Sequence, residues 1–192
     1  MPDRRPSGAY IGTGLKGLIQ NNKSPIIKGW FEATIQTYAP DTAQFFKGQK
    51  DQFGNPVGSI TSQGIAFLLD QLLDTWDPEA VKAYLDPIIR IRAIQDFSPS
   101  QATGFILLLK KVLRDNLANE LQKDANALQL LEFESKIDQL CLLAFDLYMD
   151  CKEKIYELSA NETRNRTFRA FERAGLITDV SSKPKKIKGV NH

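Results

Sequence analysis

The stretch 125–159, ANALQLLEFESKIDQLCLLAFDLYMDCKEKIYELS, decides the fold class of this 192-residue chain. Its apolar residues recur at steps of three and four, which is the spacing of one face of an α-helix. A helix of this length measures about 50 Å, whereas a compact globule of this size has a radius of gyration of only about 16 Å. The stretch therefore predicts an all-α protein with a long C-terminal helix.

Two apolar stripes follow this predicted helix. The first contains Phe133, Ile137, Leu140, Ala144, Leu147, Cys151, Ile155 and Leu158, and the second contains Leu130, Leu142, Phe145, Met149 and Tyr156. Either the helix overhangs the core or a partner covers the second stripe, and helix-rich dimers commonly bury such a surface against a second copy. We therefore expect a homodimer, with the candidate interface residues Phe133, Ile137, Leu140, Ala144, Leu147, Leu142, Phe145 and Met149.

Four helix starts are marked by one repeated device, a capping residue followed by proline. These pairs are Ser24-Pro25, Asn55-Pro56, Asp77-Pro78 and Ser98-Pro99, and Gln101 completes a capping box with Ser98. Together with the apolar spacing, they predict helices over about 12–21, 25–38, 40–47, 56–76, 78–97, 99–122, 125–159 and 161–176. No stretch is typical of a β-strand.

The predicted domain organisation is simple. We expect a disordered N-terminal arm over 1–10, a single helical sensor-like domain over 11–178, and a basic disordered tail over 179–192. The sequence has neither a secretory signal nor an apolar run long enough to insert into a membrane. Cys141 and Cys151 are too far apart on one helix for a disulfide, which favours the cytoplasm. The net charge of +2 gives no reason to expect nucleic acid as a partner.

The chain has few residues that could carry catalysis. Its single histidine is His192, the last residue, so a histidine base, a Ser-His-Asp triad and a multi-histidine zinc site are unavailable within the fold. Two distant cysteines cannot form a structural zinc site. We therefore expect a protein that is not an enzyme, binds no metal and needs no cofactor.

The most unusual stretch is RIRAIQDFSPSQA, residues 90–102, where two arginines interrupt an apolar run. Arg90, Arg92 and Asp96 are the candidate residues for binding a small anionic ligand or a carboxylate of a partner protein, since arginine binds such groups in bidentate fashion. The alternative is structural, an internal ion pair between one arginine and Asp96 that locks the junction between two helices.

Four stretches, 30–38 (WFEATIQTY), 53–58 (FGNPVG), 90–101 (RIRAIQDFSPSQ) and 169–175 (RAFERAG), resemble the RsbRD N-terminal domain family. The resemblance covers roughly residues 12–178. These are input domains of RsbR-type stressosome co-antagonists and of some bacterial histidine kinases. The resemblance implies a bacterial protein with a globin-like helical fold without haem, dimerisation through long C-terminal helices, and the sensing of a signal.

Two functions fit this resemblance. The first is a sensory or regulatory module that acts as a homodimer and binds a small ligand or a partner protein. Because no STAS or kinase module is recognisable after Gly175, its output would be a separate protein. The second is a structural adaptor of an anaerobic respiratory complex of sulfur metabolism, since stand-alone family members occur near such genes. A cavity beside Arg90 and Arg92 would favour sensing, and a packed core with a large exposed apolar patch would favour an adaptor.

Overall fold

The computed structural model describes residues 14–48, 54–74, 76–121 and 124–177. These ranges contain eight α-helices and no strand, which confirms the all-α prediction. The helices are α1 (Leu15–Asn21), α2 (Lys23–Ile35), α3 (Pro40–Gly48), α4 (Pro56–Leu73), α5 (Pro78–Ile94), α6 (Pro99–Thr103), α7 (Leu108–Asn116) and α8 (Asp124–Arg173). The predicted arm over 1–10 and tail over 179–192 lie outside the described residues, and the single domain over 11–178 stays a prediction.

Three of the four predicted helix caps are confirmed. The side chains of Asn55 and Asp77 accept hydrogen bonds from the first-turn amides of α4 and α5, and Ser98 and Gln101 form the reciprocal capping box of α6. The prediction for Ser24 was wrong. Asn22 ends α1 and also precedes the first residue of α2, so Ser24 already lies inside the first turn of α2.

The single helix predicted over 99–122 is instead divided into α6 and α7 by a turn at 104–107. Two side chains from other helices donate hydrogen bonds to carbonyl oxygens that would accept main-chain amides in an unbroken helix. Trp30 Nε1 donates to the Phe105 carbonyl at 2.7 Å, and Arg92 Nη1 donates to the Gln101 carbonyl at 3.0 Å. The amide of Leu109 donates to Ile106, three residues back, which is the tighter 3₁₀ pattern.

The main hydrophobic core lies in the part of the chain that ends at Cys151. It collects fully buried aliphatic side chains of α4, α5 and α7 around Trp30 of α2 and the inner side of α8. Each such side chain contributes roughly 1.5–3 kcal/mol when it leaves water. The α8 residues buried in this core are Leu130, Phe133, Ile137, Leu140, Ala144, Tyr148 and Cys151.

Helix α8 is longer than predicted. The break expected between 159 and 161 was wrong, because the helix continues from Asp124 to Arg173. The sequence ANET at 160–163 contains neither glycine nor proline, so nothing in it ends a helix. The predicted stop at Gly175 is confirmed. Gly175 has a φ of 68°, and the amide of Leu176 closes the helix on the Phe171 carbonyl.

The contacts divide the chain into two compact units, Met1–Cys151 and Lys152–His192. The first unit contains the core just described. In the second unit, almost every described residue is exposed, and the large apolar ones include Tyr156, Leu158, Phe168 and Phe171. No helix among the described residues combines the length and the apolar character needed to cross a bilayer.

Candidate functional site

Arg92 lies in the last turn of α5 and is fully buried. Its hydrogen bonds go to oxygen atoms on two other parts of the fold. Nη2 donates to the Thr34 carbonyl at 3.3 Å and to Thr37 Oγ1 at 2.9 Å, both at the end of α2, and Nη1 donates to the Gln101 carbonyl in α6. One guanidinium therefore joins the C-terminal ends of α2 and α5 to α6.

Three aromatic rings surround the same guanidinium. Its central carbon lies 4.7 Å from the ring centre of Tyr38, 5.0 Å from that of Phe97 and 4.8 Å from that of Phe105. Each distance is within the range of a cation–π interaction, which is strongest where water is excluded. We call Arg92, Thr34, Thr37, Tyr38, Phe97, Gln101 and Phe105 the Arg92 cluster.

The partners described for Arg92 are carbonyl and hydroxyl oxygens and aromatic rings, and no carboxylate is among them. The C-terminal ends of α2 and α5 each carry a partial negative charge of about half a unit, so they stabilise the buried cation. Burial lowers the pKa of Arg92, but a guanidinium stays protonated. Among the described contacts, the positive charge is therefore stabilised by carbonyl and hydroxyl oxygens, by aromatic rings and by the helix ends.

The Tyr38 phenol shares this environment. Burial raises its pKa, and the nearby charge of Arg92 opposes that rise to a lesser degree. A side-chain hydrogen bond between Arg92 and the Tyr38 hydroxyl also opposes the rise. Tyr38 and Arg92 are therefore coupled by charge, by ring contact and by this hydrogen bond.

The Arg92 cluster also reaches α8. The hydroxyl of Tyr148, a residue that is 3% exposed, donates to the Phe97 carbonyl at 2.6 Å. The Phe97 amide in turn donates to the Arg92 carbonyl. Tyr148 thus attaches the inner side of α8 to the backbone next to Arg92.

The other two predicted ligand-binding residues lie elsewhere. Arg90 is exposed and forms a two-pronged ion pair with Asp86, one turn earlier in α5, and this pair raises the pKa of Arg90. Asp96 has a φ of 59° and occupies the left-handed position that ends α5. The described pairing of Arg90 with Asp86 differs from the alternative prediction of an ion pair with Asp96. Arg90 is thus on the surface of α5, whereas Arg92 is inside the fold.

Two grooves are described, and neither is lined by those three residues. One, of about 480 Å³, lies between α2 and α7 and is lined by Gly29, Ala33, Leu108 and Val112 and by polar residues that include Thr37. The other, of about 190 Å³, lies between α1, α4 and α8. The predicted role of Arg90, Arg92 and Asp96 in binding a ligand or partner therefore stays a prediction.

The first unit exposes one apolar surface on α8. Its residues are Leu128, Leu131, Leu142, Phe145 and Met149, whose exposed fractions lie between 42% and 67%. At 3.6 residues per turn they fall within an arc of about 100° on the side of the helix opposite the core residues. We call these five residues the outward face of α8.

The outward face narrows the list of dimer-interface candidates. Phe133, Ile137, Leu140 and Ala144 are at most 7% exposed, because they pack into the core of their own chain. They have little surface left for a partner, so the exposed residues of the helix are the better candidates for the predicted interface, which stays a prediction. Leu130, assigned to the second stripe, is also buried. Leu147 is half-buried, and Leu142, Phe145 and Met149 remain candidates.

Both cysteines are free thiols on α8, Cys151 buried and Cys141 half-buried. Burial raises the pKa of Cys141, which disfavours its reactive thiolate form. In the ranges that the structure describes, no three His, Cys, Asp or Glu side chains are grouped closely enough to hold a metal ion.

The hydroxyl and carbonyl partners of Arg92 at the end of α2 were not predicted from the sequence. A signal for them was present, since the stretch 30–38 contains Thr34, Thr37 and Tyr38 and the stretch 90–101 contains Arg92, Phe97 and Gln101. Two of the stretches that carry the family resemblance therefore pack against each other through one side chain.

The family model described as "RsbT co-antagonist protein rsbRD N-terminal domain" matches residues 26–163, which include the Arg92 cluster and most of α8. An uncharacterized protein of Archaeoglobus fulgidus is 32% identical over 109 residues, 55% of this chain and 68% of that protein. No solved structure matches the chain significantly. The chain therefore belongs to the family of the RsbT co-antagonist protein rsbRD N-terminal domain.

Proposed function

We propose that this chain is a non-enzymatic sensory or regulatory module of the RsbR N-terminal type, which acts in the cytoplasm as a homodimer and docks a separate output protein. The observation that carries the proposal is the outward face of α8. Its apolar residues are exposed although the same helix buries its opposite side in a complete core. Membership of a family of regulatory input domains supports the same function.

The size of the outward face supports a second copy as its partner. From their exposed fractions, its five side chains offer roughly 500 Å² of mostly apolar surface, against about 800 Å² per partner in a standard interface. Polar neighbours on the same side of the helix, Ser135 and Asp138, would supply part of the rest. Such a patch is near the upper limit that monomeric proteins expose.

The proposal includes a globin-like arrangement of the helices without haem, as in related input domains. It is supported by family membership and by the absence of histidine before residue 192, since a haem in this fold uses a proximal histidine. Sensing through contact with another protein is better supported than sensing of a small anion, because neither described groove is lined by Arg90 or Arg92.

The second candidate function, an adaptor within an anaerobic respiratory complex of sulfur metabolism, is favoured by the same exposed surface. In that case the outward face would be covered by a different protein. The two functions differ in what the purified chain does alone, since a regulatory homodimer assembles without any other component.

Sedimentation equilibrium of the purified chain tests the proposal. We expect a dimer at micromolar concentration, and we expect Phe145→Glu to raise its dissociation constant at least about 30-fold, because a charge placed in an apolar interface costs about 2 kcal/mol or more. Ile60→Glu is the matched control, since Ile60 is exposed to a similar degree on α4. It should leave the dimer intact.

A chain that stays monomeric at high concentration would remove the homodimer and leave the adaptor as the better explanation. A dimer that Phe145→Glu does not weaken would show that the interface lies elsewhere.

A further inference from the structure

The arginines of the two units differ in their contacts within the chain. In the first unit, Arg90 pairs with Asp86, Arg114 pairs with Glu134, and Arg92 is hydrogen-bonded inside the fold. The eight ion pairs that the structure describes all lie in that unit. The second unit has four exposed arginines on α8, which are Arg164, Arg166, Arg169 and Arg173. Within the described ranges none of these four forms an ion pair, so their charges are available to a partner protein.

Three of the four arginines share one side of α8. Arg166, Arg169 and Arg173 fall within an arc of about 60° and extend along about 10 Å of the helix. Glu162 and Leu158, which is 70% exposed, precede them and widen the arc to only about 80°. This side of the helix therefore presents an apolar residue, then one carboxylate, then three guanidinium groups. We call these five residues the basic stripe.

The basic stripe fits carboxylates of a protein better than phosphates of a nucleic acid. Guanidinium groups bind carboxylates in bidentate fashion, and their spacing of three and four residues matches carboxylates on one face of a second helix. A nucleic acid carries negative charge along its whole backbone, so Glu162 would repel it and Leu158 would gain no apolar contact. An apolar residue next to charges of both signs is typical of a surface that binds protein.

A membrane surface fits the second unit less well. A helix that lies on a bilayer buries one continuous apolar face. Here Leu158 lies on the side of the arginines, whereas Phe168 and Phe171 lie on the opposite side with Arg164 between them. This described part of α8 therefore has no side that is apolar throughout, and a protein is the better occupant of the basic stripe.

We propose that the basic stripe docks an acidic α-helix of the separate output protein. Carboxylates at steps of three and four on that helix pair with Arg166, Arg169 and Arg173, and an apolar side chain of the same helix covers Leu158. The inference rests on the proposed function, from which it takes the output protein, and it names the docking site and the chemistry of the partner. The outward face of α8 lies in the first unit, so docking at the basic stripe does not require the dimer.

Binding of a synthetic helical peptide to the full chain tests the proposal. The peptide carries one leucine and three glutamates at steps of three and four along one face, and fluorescence anisotropy measures its affinity at about 50 mM ionic strength, where exposed charges are weakly screened. We expect Arg169→Gln to raise the dissociation constant about threefold. Arg166→Gln, Arg169→Gln and Arg173→Gln together should raise it at least about tenfold, because each exposed ion pair contributes modestly.

Arg164→Gln is the matched control, since it removes the same charge from the same helix but lies outside the basic stripe. It should leave the affinity unchanged, and a peptide with glutamine in place of the three glutamates should not bind. Equal weakening by Arg164→Gln and Arg169→Gln would show attraction to net charge alone and overturn the proposal. Tighter binding to duplex DNA or to phosphatidylglycerol vesicles than to the peptide would overturn it as well.

Two further measurements complete the test. Circular dichroism checks that the triple variant keeps its helices, as expected because glutamine and arginine have similar helix propensities. If it does not, the two single variants decide. Sedimentation of the same samples separates this inference from the homodimer. A monomeric chain that binds the peptide through the basic stripe would sustain the docking site and remove the dimer, whereas a dimer that does not bind the peptide would do the reverse.

Discussion

The end of α5 and the middle of α8 each contain two side chains of one type that lie two residues apart in opposite surroundings. Arg90 is exposed and paired with Asp86, whereas Arg92 is fully buried among rings and carbonyl oxygens. Leu142 is 67% exposed, whereas Leu140 is fully buried. Two residues of a helix turn through about 200°, so neighbours of the same type take unrelated roles. The amino-acid type of a residue therefore does not by itself determine whether the residue is buried or exposed.

The two arginines give the largest expected difference in the free energy of unfolding between two variants. Arg92→Ala should lower the free energy of unfolding by roughly 3–5 kcal/mol, because it leaves a cavity and removes the bonds to the Thr34 and Gln101 carbonyls. Arg90→Ala should cost less than about 1 kcal/mol, because its ion pair is exposed. Urea denaturation of both variants measures the two values. Equal losses of unfolding free energy in the two variants would contradict the different surroundings of the two arginines.

For the two leucines, we expect one substitution to lower the stability of the fold and the other to weaken self-association. Leu140→Ala is expected to lower the free energy of unfolding by about 2–5 kcal/mol through cavity formation. Leu142→Ala should change the unfolding of the monomer by no more than about 0.5 kcal/mol and weaken self-association instead. Thermal unfolding and sedimentation of each variant provide both readouts. A strongly destabilised Leu142→Ala monomer would contradict the assignment of Leu142 to the outward face.

The smallest expected effect is the pH dependence of the Arg92 cluster. Burial raises the pKa of Tyr38 in the folded state above its unfolded value of 10.0, so the folded state holds this proton more tightly. The resulting stability is fully present below pH 10 and is lost as the pH rises through the folded pKa. Stability measured from pH 9 upward should fall less steeply in Tyr38→Phe than in the wild type. Tyr156→Phe, at an exposed position of α8, is the matched control.

The features that were predictable from the sequence are those with local causes. Asp77-Pro78 and Ser98-Pro99 begin helices because a capping oxygen and a missing amide act within one turn. The stop at Gly175 depends on one residue that adopts a positive φ without strain. The inner side of α8 was predictable because apolar spacing reports burial directly.

The features that were not predictable depend on distant partners. The turn at 104–107 exists because Trp30, 75 residues away, takes the Phe105 carbonyl. The surroundings of Arg92 depend on Thr34 and Thr37, which lie 58 and 55 residues away along the chain. An arginine in an apolar run shows that a partner is needed, but its position in the sequence does not identify that partner.

Trp30 gives the molecule a natural optical reporter. Its indole is fully buried and is stacked near Phe105, whose ring also contacts Arg92, while the other tryptophan, Trp76, lies outside the helices and is half-buried. Fluorescence excited at tryptophan wavelengths therefore contains a blue-shifted component from the centre of the fold. Loosening of the surrounding contacts should move that component to longer wavelength, so unlabelled protein can report its own internal rearrangements in real time.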